Sequence, residues 1–176
     1  MKLQRSVGGA VAGSLAAAVW AAQQPLDKRV FDSDYDDLEL LGKAVTRGRE
    51  WQLVGLALHM QNGALFGAAY AQLRPFLPGR PVASGFVAGM VEHLVFWPTA
   101  RLVDRYHPAR AELTPLAGNP RALAQATWRH ALFGVVLGAL EALINDRSAD
   151  EPPPVPFSSN GHGSLESAVS VAEPSR

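Results

Sequence analysis

The sequence predicts an all-α fold, a four-helix transmembrane bundle made of two related helical hairpins. Three observations carry that prediction. Stretches poor in Asp, Glu, Lys and Arg recur along the chain, each about as long as a bilayer crossing, which takes roughly 20 residues. The first two of them show no polar face, so a soluble amphipathic bundle would leave them without a solvent side. Glycine and histidine spacings in the first half of the chain also recur in the second.

A hydrophobic fraction of 48% over 176 residues suits either a helical soluble domain or a membrane protein with polar loops, so arrangement decides where composition does not. Net charge is zero and the basic residues form no block interleaved with aromatics. Nucleic acid therefore lacks its electrostatic footprint and is not an expected partner. The absence of cysteine excludes disulfides, thiolate metal sites and cysteine nucleophiles.

The first span covers about 6–26. Lys2 and Arg5 ahead of an Ala-rich stretch ending in Val19-Trp20-Ala21 would also suit a cleaved signal peptide, against which stands the repeat described below. Residues 27–50 form an acidic loop in which Asp34, Asp36 and Asp37 precede Leu38, Leu40, Leu41 and Val45. This pattern fits a short amphipathic helix at the interface, or a solvated loop. The second span, 51–73, carries no charge. Pro75, Pro78 and Gly79 make the next connection a tight turn, which predicts that spans two and three are antiparallel neighbours. The third span, 81–100, is broken only by Glu92, and Trp97-Pro98 ends its regular part. The fourth, about 122–144, opens on the cap and first-turn pair Asn119-Pro120 and has no breaker until Asn145. It contains Arg129, which must snorkel toward the third loop, pair with Glu92, or lie outside a later-starting span, and Glu141, placed to reach the headgroups. Residues 1–147 thus form the membrane domain, and 148–176, entered through Pro152-Pro153-Pro154, read as a disordered polar tail.

Gly9 and Gly13 in span one are echoed by Gly85 and Gly89 in span three. His59, Gly63 and Gly67 in span two recur as His130, Gly134 and Gly138 in span four. The order of both echoes predicts parallel repeats, and the eight glycines predict helix-packing faces where lipid offers no hydrophobic drive. Loops one and three carry more Lys and Arg than the other side, which places them in the cytoplasm.

Ionisable groups inside a span cost about 2.5–3.5 kcal/mol on insertion scales, so each requires a partner or a purpose. His59, His93 and His130 fall at one depth, about 12 Å from the face bearing loops one and three, with Glu92 level with them and Asn62 about one turn deeper. His59, Asn62, Glu92, His93 and His130 are therefore the candidate intramembrane polar cluster. It serves proton, ion or small-solute handling, or interhelical hydrogen bonding. The alternative is a metal or haem site on His59, His93 and His130 with redox chemistry. No Walker loop, GxSxG elbow, HExxH pair or dinucleotide fingerprint is present, so no catalytic residue is assigned.

A first span ending in Gln24-Pro25, a second around His59-Met60-Gln61-Asn62 ending in Tyr70, a third ending in Glu92-His93-Leu94-Val95-Phe96-Trp97-Pro98 and a fourth opening with His130 together resemble the YagU-like family of small bacterial inner-membrane proteins. The resemblance covers residues 6–147. It implies a multi-pass protein of the cell membrane, with the lipid bilayer as its partner, and assigns no biochemical activity. The acidic first loop and the Pro-rich tail depart from the family pattern. A transport path through so few spans would favour a homo-oligomer.

Overall fold

The computed structural model describes the backbone of residues 2–149 and the side chains of residues 3–145. Every regular element among them is helical: α1 (Lys2–Phe31), α2 (Asp37–Val45), α3 (Trp51–Leu73), α4 (Pro81–Phe96), α5 (Ala100–Tyr106) and α6 (Pro120–Ala149). The expected tail lies outside the described residues from 150 onward.

The helix α1 outruns its sequence-read limit at Leu26. Pro25 removes one amide donor, yet the helix continues to Phe31 and closes on Asp32, in the left-handed region at φ 47°, with the Ser33 amide donating to Lys28 O at 3.1 Å. The short helix in loop one forms as α2. The Asp36 carboxylate caps it by accepting from the Leu38 and Glu39 amides at 2.9 and 3.0 Å. Helix α4 stops at Phe96, where Trp97-Pro98-Thr99 makes a single 3-10 turn into α5. Asn119 caps α6 through the Arg121 and Ala122 amides, and the helix passes through Asn145, the expected breaker, to Ala149.

The long helices form a horseshoe. Helices α1 and α6 pack on each other at its base, α3 packs on α1 as one arm, and α4 packs on α6 as the other. Backbone contact between small residues sets both arms. A Cβ added to Gly13 would stand 1.9 Å from Gly63 O, and one on Gly67 2.1 Å from Gly9 O. On the other side a Cβ on Gly85 would stand 2.3 Å from Gly134 O, and one on Gly138 2.4 Å from Pro81 O. Only glycine admits these approaches, which bring the helix backbones together. Helix α2 docks on the start of α3 by the same device, with Gly42 against Trp51 O and Gly55 against Leu38 O.

The expected neighbour relation between spans two and three is corrected here. Although only a short turn separates them, α3 and α4 make no extended contact, and Tyr70 ties them together only near that turn, its hydroxyl donating to Pro81 O at 3.0 Å and lying 3.1 Å from Ser84 Oγ. Beyond it the arms diverge, because the glycine faces of both are turned to α1 and α6 rather than to each other.

Apolar residues occupy both the surface and the interior, where they share space with buried polar groups. Leu3, Val11, Leu53, Leu65, Val87 and Leu94 lie at the surface, whereas Arg129, Gln125, Glu141 and Asp27 are among the largest fully buried side chains. Two helices, over Leu3–Phe31 and Pro120–Asn145, are long and apolar enough to cross a membrane. The two arms fall short of that measure for different reasons. Helix α4 has 16 residues, about 24 Å at 1.5 Å per residue, and α3 interrupts its apolar run with His59, Gln61 and Asn62.

A candidate functional site in the mouth of the horseshoe

The chain brings two polar groupings together at the end of the bundle that carries loops one and three. The first is closed. Arg129 of α6 donates from Nε and Nη2 to the two carboxylate oxygens of Asp27 on α1, both at 2.6 Å, and from Nη1 to Asp37 of α2 at 2.6 Å. Gln125 adds a bond to Asp27 at 2.7 Å, and Arg129 reaches Tyr35 O at 3.1 Å. The Tyr35 hydroxyl donates to the Asp37 carboxylate, and Trp20 Nε1 donates to the same group at 3.2 Å. Burial, reinforced by the Asp37 charge, pushes the Tyr35 phenol well above its usual value, so it stays protonated and remains a donor. Three charges, two negative and one positive, leave this network with one net negative charge.

Arg129 neither snorkels toward the third loop nor pairs with Glu92. It is wholly buried and paired with carboxylates that the sequence reading assigned to the loop. Glu141 is corrected similarly: it is 1% exposed instead of reaching outward, and it accepts from Asn145 Nδ2 at 3.0 Å with Arg5 at 3.7 Å.

The second grouping is open. A cavity of about 260 Å³ lies in the horseshoe between the arms, walled by Trp20 of α1, Asp37 of α2, His59 and Asn62 of α3, Glu92 and His93 of α4, and His130 of α6. The sequence-read cluster therefore shares one cavity, with Asn62 exposed at its rim. His130 Nδ1 donates to Ala126 O at 2.7 Å, since a carbonyl can only accept, and its Nε2 stands 2.8 Å from Glu92 Oε2. One proton is shared across that second contact, on nitrogen as an ion pair or on oxygen as a neutral pair. Thr127 gives its only hydroxyl proton to Leu123 O, so it accepts from His93 Nε2 at 3.0 Å, which fixes the His93 tautomer. Glu92 and His93, adjacent in sequence, thereby engage different residues of α6. His59 is 8% exposed, and its Nε2 has no hydrogen-bond partner.

Rings fill the space between these groups. Trp20 stands edge-on to both His59 and His130, at centroid distances of 5.0 and 4.8 Å, and the His93 and His130 rings are 4.7 Å apart. This arrangement gives no support to the metal or haem site that the three histidines suggested. Both nitrogens of His130 and Nε2 of His93 are engaged within the protein. The Trp20 ring stands against both His59 and His130, and the His93 and His130 rings are packed together. Among the described residues no three His, Cys, Asp or Glu side chains converge to hold a metal ion.

Sequence reading missed Asp27, Tyr35, Asp37 and Gln125. The signal was Arg129 itself: a guanidinium in an apolar helix requires a carboxylate at its own depth, and Asp27 lies one residue past the limit drawn for span one. Comparison of the chain with family models, with curated proteins and with solved structures finds no match.

Proposed function

We propose that this chain is an integral membrane protein of the cell membrane with four α-helical crossings, whose His/Glu cavity handles protons. The surface supports the membrane reading: large aliphatic side chains face outward on all four long helices while an arginine and its carboxylates are inside, an arrangement that lipid tolerates and water does not. The two arms complete the set of four crossings, α4 being extended by the 3-10 turn and α5 toward the interface. The matched glycine contacts of α1 with α3 and of α4 with α6 support reading the chain as two repeated hairpins, in keeping with the resemblance to the YagU-like family. Lipid is the constant partner of the outward aliphatic side chains, and a homo-oligomer belongs to the same reading.

The observation that carries proton handling is the His130–Glu92 pair. Its Nδ1 proton is pinned to Ala126 O, so only the proton between Nε2 and the carboxylate is free to move, and that contact opens on a cavity whose wall reaches Asp37 at the loop end. The test is proton flux into liposomes containing the purified protein and a trapped pH-sensitive dye, driven by a potassium diffusion potential. Wild-type protein is expected to conduct above empty liposomes, and Glu92→Gln and His130→Ala to fall to background. Flux in wild type no greater than in empty liposomes would overturn the reading.

A further inference from the structure

We infer that the mouth of the horseshoe is a lateral binding site for a single-chain amphiphile with a cationic, hydrogen-bond-donating head, of the long-chain primary amine class. The inference rests on the reading that the chain lies in a bilayer. A second cavity, about 560 Å³, runs between the arms from the turn at Leu77 and Pro78 past Ala69, Ala83 and Val87. Its walls are aliphatic and aromatic except for the Tyr70 and Ser84 hydroxyls, which bond to each other and to Pro81 O, and for Glu92 at its inner end. Phe66, Glu92 and Phe96 line both this groove and the polar cavity. The two spaces are therefore consecutive, an apolar trough leading to a polar chamber, with Glu92 at the junction.

The chamber specifies the head. Its free capacity is for accepting: the Glu92 carboxylate has one oxygen outside its contact with His130, and His59, whose ring is hydrogen-bonded to the Ala17 backbone through its other nitrogen, presents a buried Nε2 without a partner. Asp37 brings the net negative charge of the closed network to the same wall, while Arg129, the balancing cation, faces away into that network. Aromatic rings of Trp20, Phe66 and Phe133 line the rest, surfaces that attract a desolvated ammonium. A carboxylate or phosphate head would meet two carboxylates and no free cation. The trough specifies the tail: from Glu92 to Ala83 it runs nine residues of α4, about 14 Å at 1.5 Å per residue, open to the side where lipid chains lie. A second copy of the chain laid over the mouth would cover the trough with apolar side chains but leave His59 and Glu92 unmet.

The test uses the full chain in phosphatidylcholine nanodiscs, photolabelled with a primary alkylamine that carries a diazirine midway along its chain. Labels are expected on residues 66–73 and 83–91, to be removed by excess dodecylamine and retained with excess dodecanoate. Ala69→Trp fills the trough from an exposed position and should weaken labelling by at least about tenfold while leaving proton flux intact. Glu92→Gln, which loses one ammonium–carboxylate bond, should weaken dodecylamine competition roughly tenfold. Labels spread evenly over outward positions such as Leu65 and Leu94, equal competition by dodecanoate, or a mouth closed by chain-to-chain cross-links would each overturn the inference. Proton flux retained in the face of such a result would leave the proton reading standing alone, and specific labelling without flux would do the converse.

Discussion

Arg129 and His130 are consecutive in sequence and lie in opposite kinds of surroundings. Around Arg129 the protein has met each side-chain nitrogen with an acceptor, and the group is wholly buried by α1, α2 and α6. Around His130 the protein has left a chamber, a movable proton and, across the Trp20 ring, an imidazole nitrogen with nothing to bond. The difference teaches where fold and chemistry divide. A fully paired polar group holds helices in place, and an incompletely paired one beside a cavity is available to something that arrives from outside.

The largest effect expected is on the closed side. Arg129→Leu leaves Asp27 and Asp37 buried without a counter-charge and should cost about 3–5 kcal/mol, read as loss of folded protein in a denaturant or thermal titration in mild detergent. A cost below about 1 kcal/mol would erase the distinction between the two groupings. Next comes Gly63→Leu, which forces the α3 arm off the α1 backbone, since even an added Cβ would stand 2.6 Å from Gly13 O. It should lower stability by about 1–3 kcal/mol or more and distort the chamber while the Asp27–Arg129 pair persists. An unchanged melting temperature would refute the glycine contact.

A smaller effect sharpens the role of α2, which carries Asp37 to both groupings. Asp36→Ala removes its cap and should cost roughly 0.5–2 kcal/mol, seen as faster hydrogen exchange in residues 37–45. Burial alone would raise the Asp36 carboxyl, but the Lys28 ammonium, the Glu39 amide and Gln24 outweigh it and hold the group below the usual aspartate range. A depressed folded value means that its stabilisation is complete above the ordinary aspartate range and fades as pH falls through the folded value. Protection of α2 should fade in acid along that course, and in Lys28→Ala the loss should begin at higher pH. The smallest change in stability belongs to Glu92→Gln. Its pair with His130 is only partly exposed but borders an open cavity, and glutamine can still meet Nε2, so the substitution should change the melting curve by no more than about 1 kcal/mol even though it abolishes flux. A large stability loss there would make the pair a structural tie like Arg129.

The four long helices and their order were legible in the sequence because charge-free runs, the Asn119-Pro120 start and the Trp97-Pro98 break are local signals, whereas α5 was not read and α2 was one of two alternatives. The common depth of His59, His93 and His130 was legible too, since depth follows from counting along helices. The horseshoe was not. A short turn between α3 and α4 says that their ends meet, but which face each arm shows its neighbour is decided by the glycine contacts with α1 and α6, made at sequence separations that no local pattern records. The limits of α1 and α6 were also missed, because Pro25 and Asn145 stop helices only on average. Here Asp27 is bound to Arg129 just beyond the one, and the Asn145 side chain is bonded to Glu141 and Arg5 O at the other.

The ion network also has a direction in time. Asp27 and Asp37 are made about a hundred residues before Arg129, so on the proposed membrane reading both carboxylates precede α6 into the bilayer. A guanidinium entering the bilayer unpaired costs about 2.5–3.5 kcal/mol on insertion scales, a cost lifted when its partners are already in place. The α4–α6 arm is therefore not a free-standing half of the molecule. Its last helix is completed by the first, and the chain has to be built in the order in which it is written.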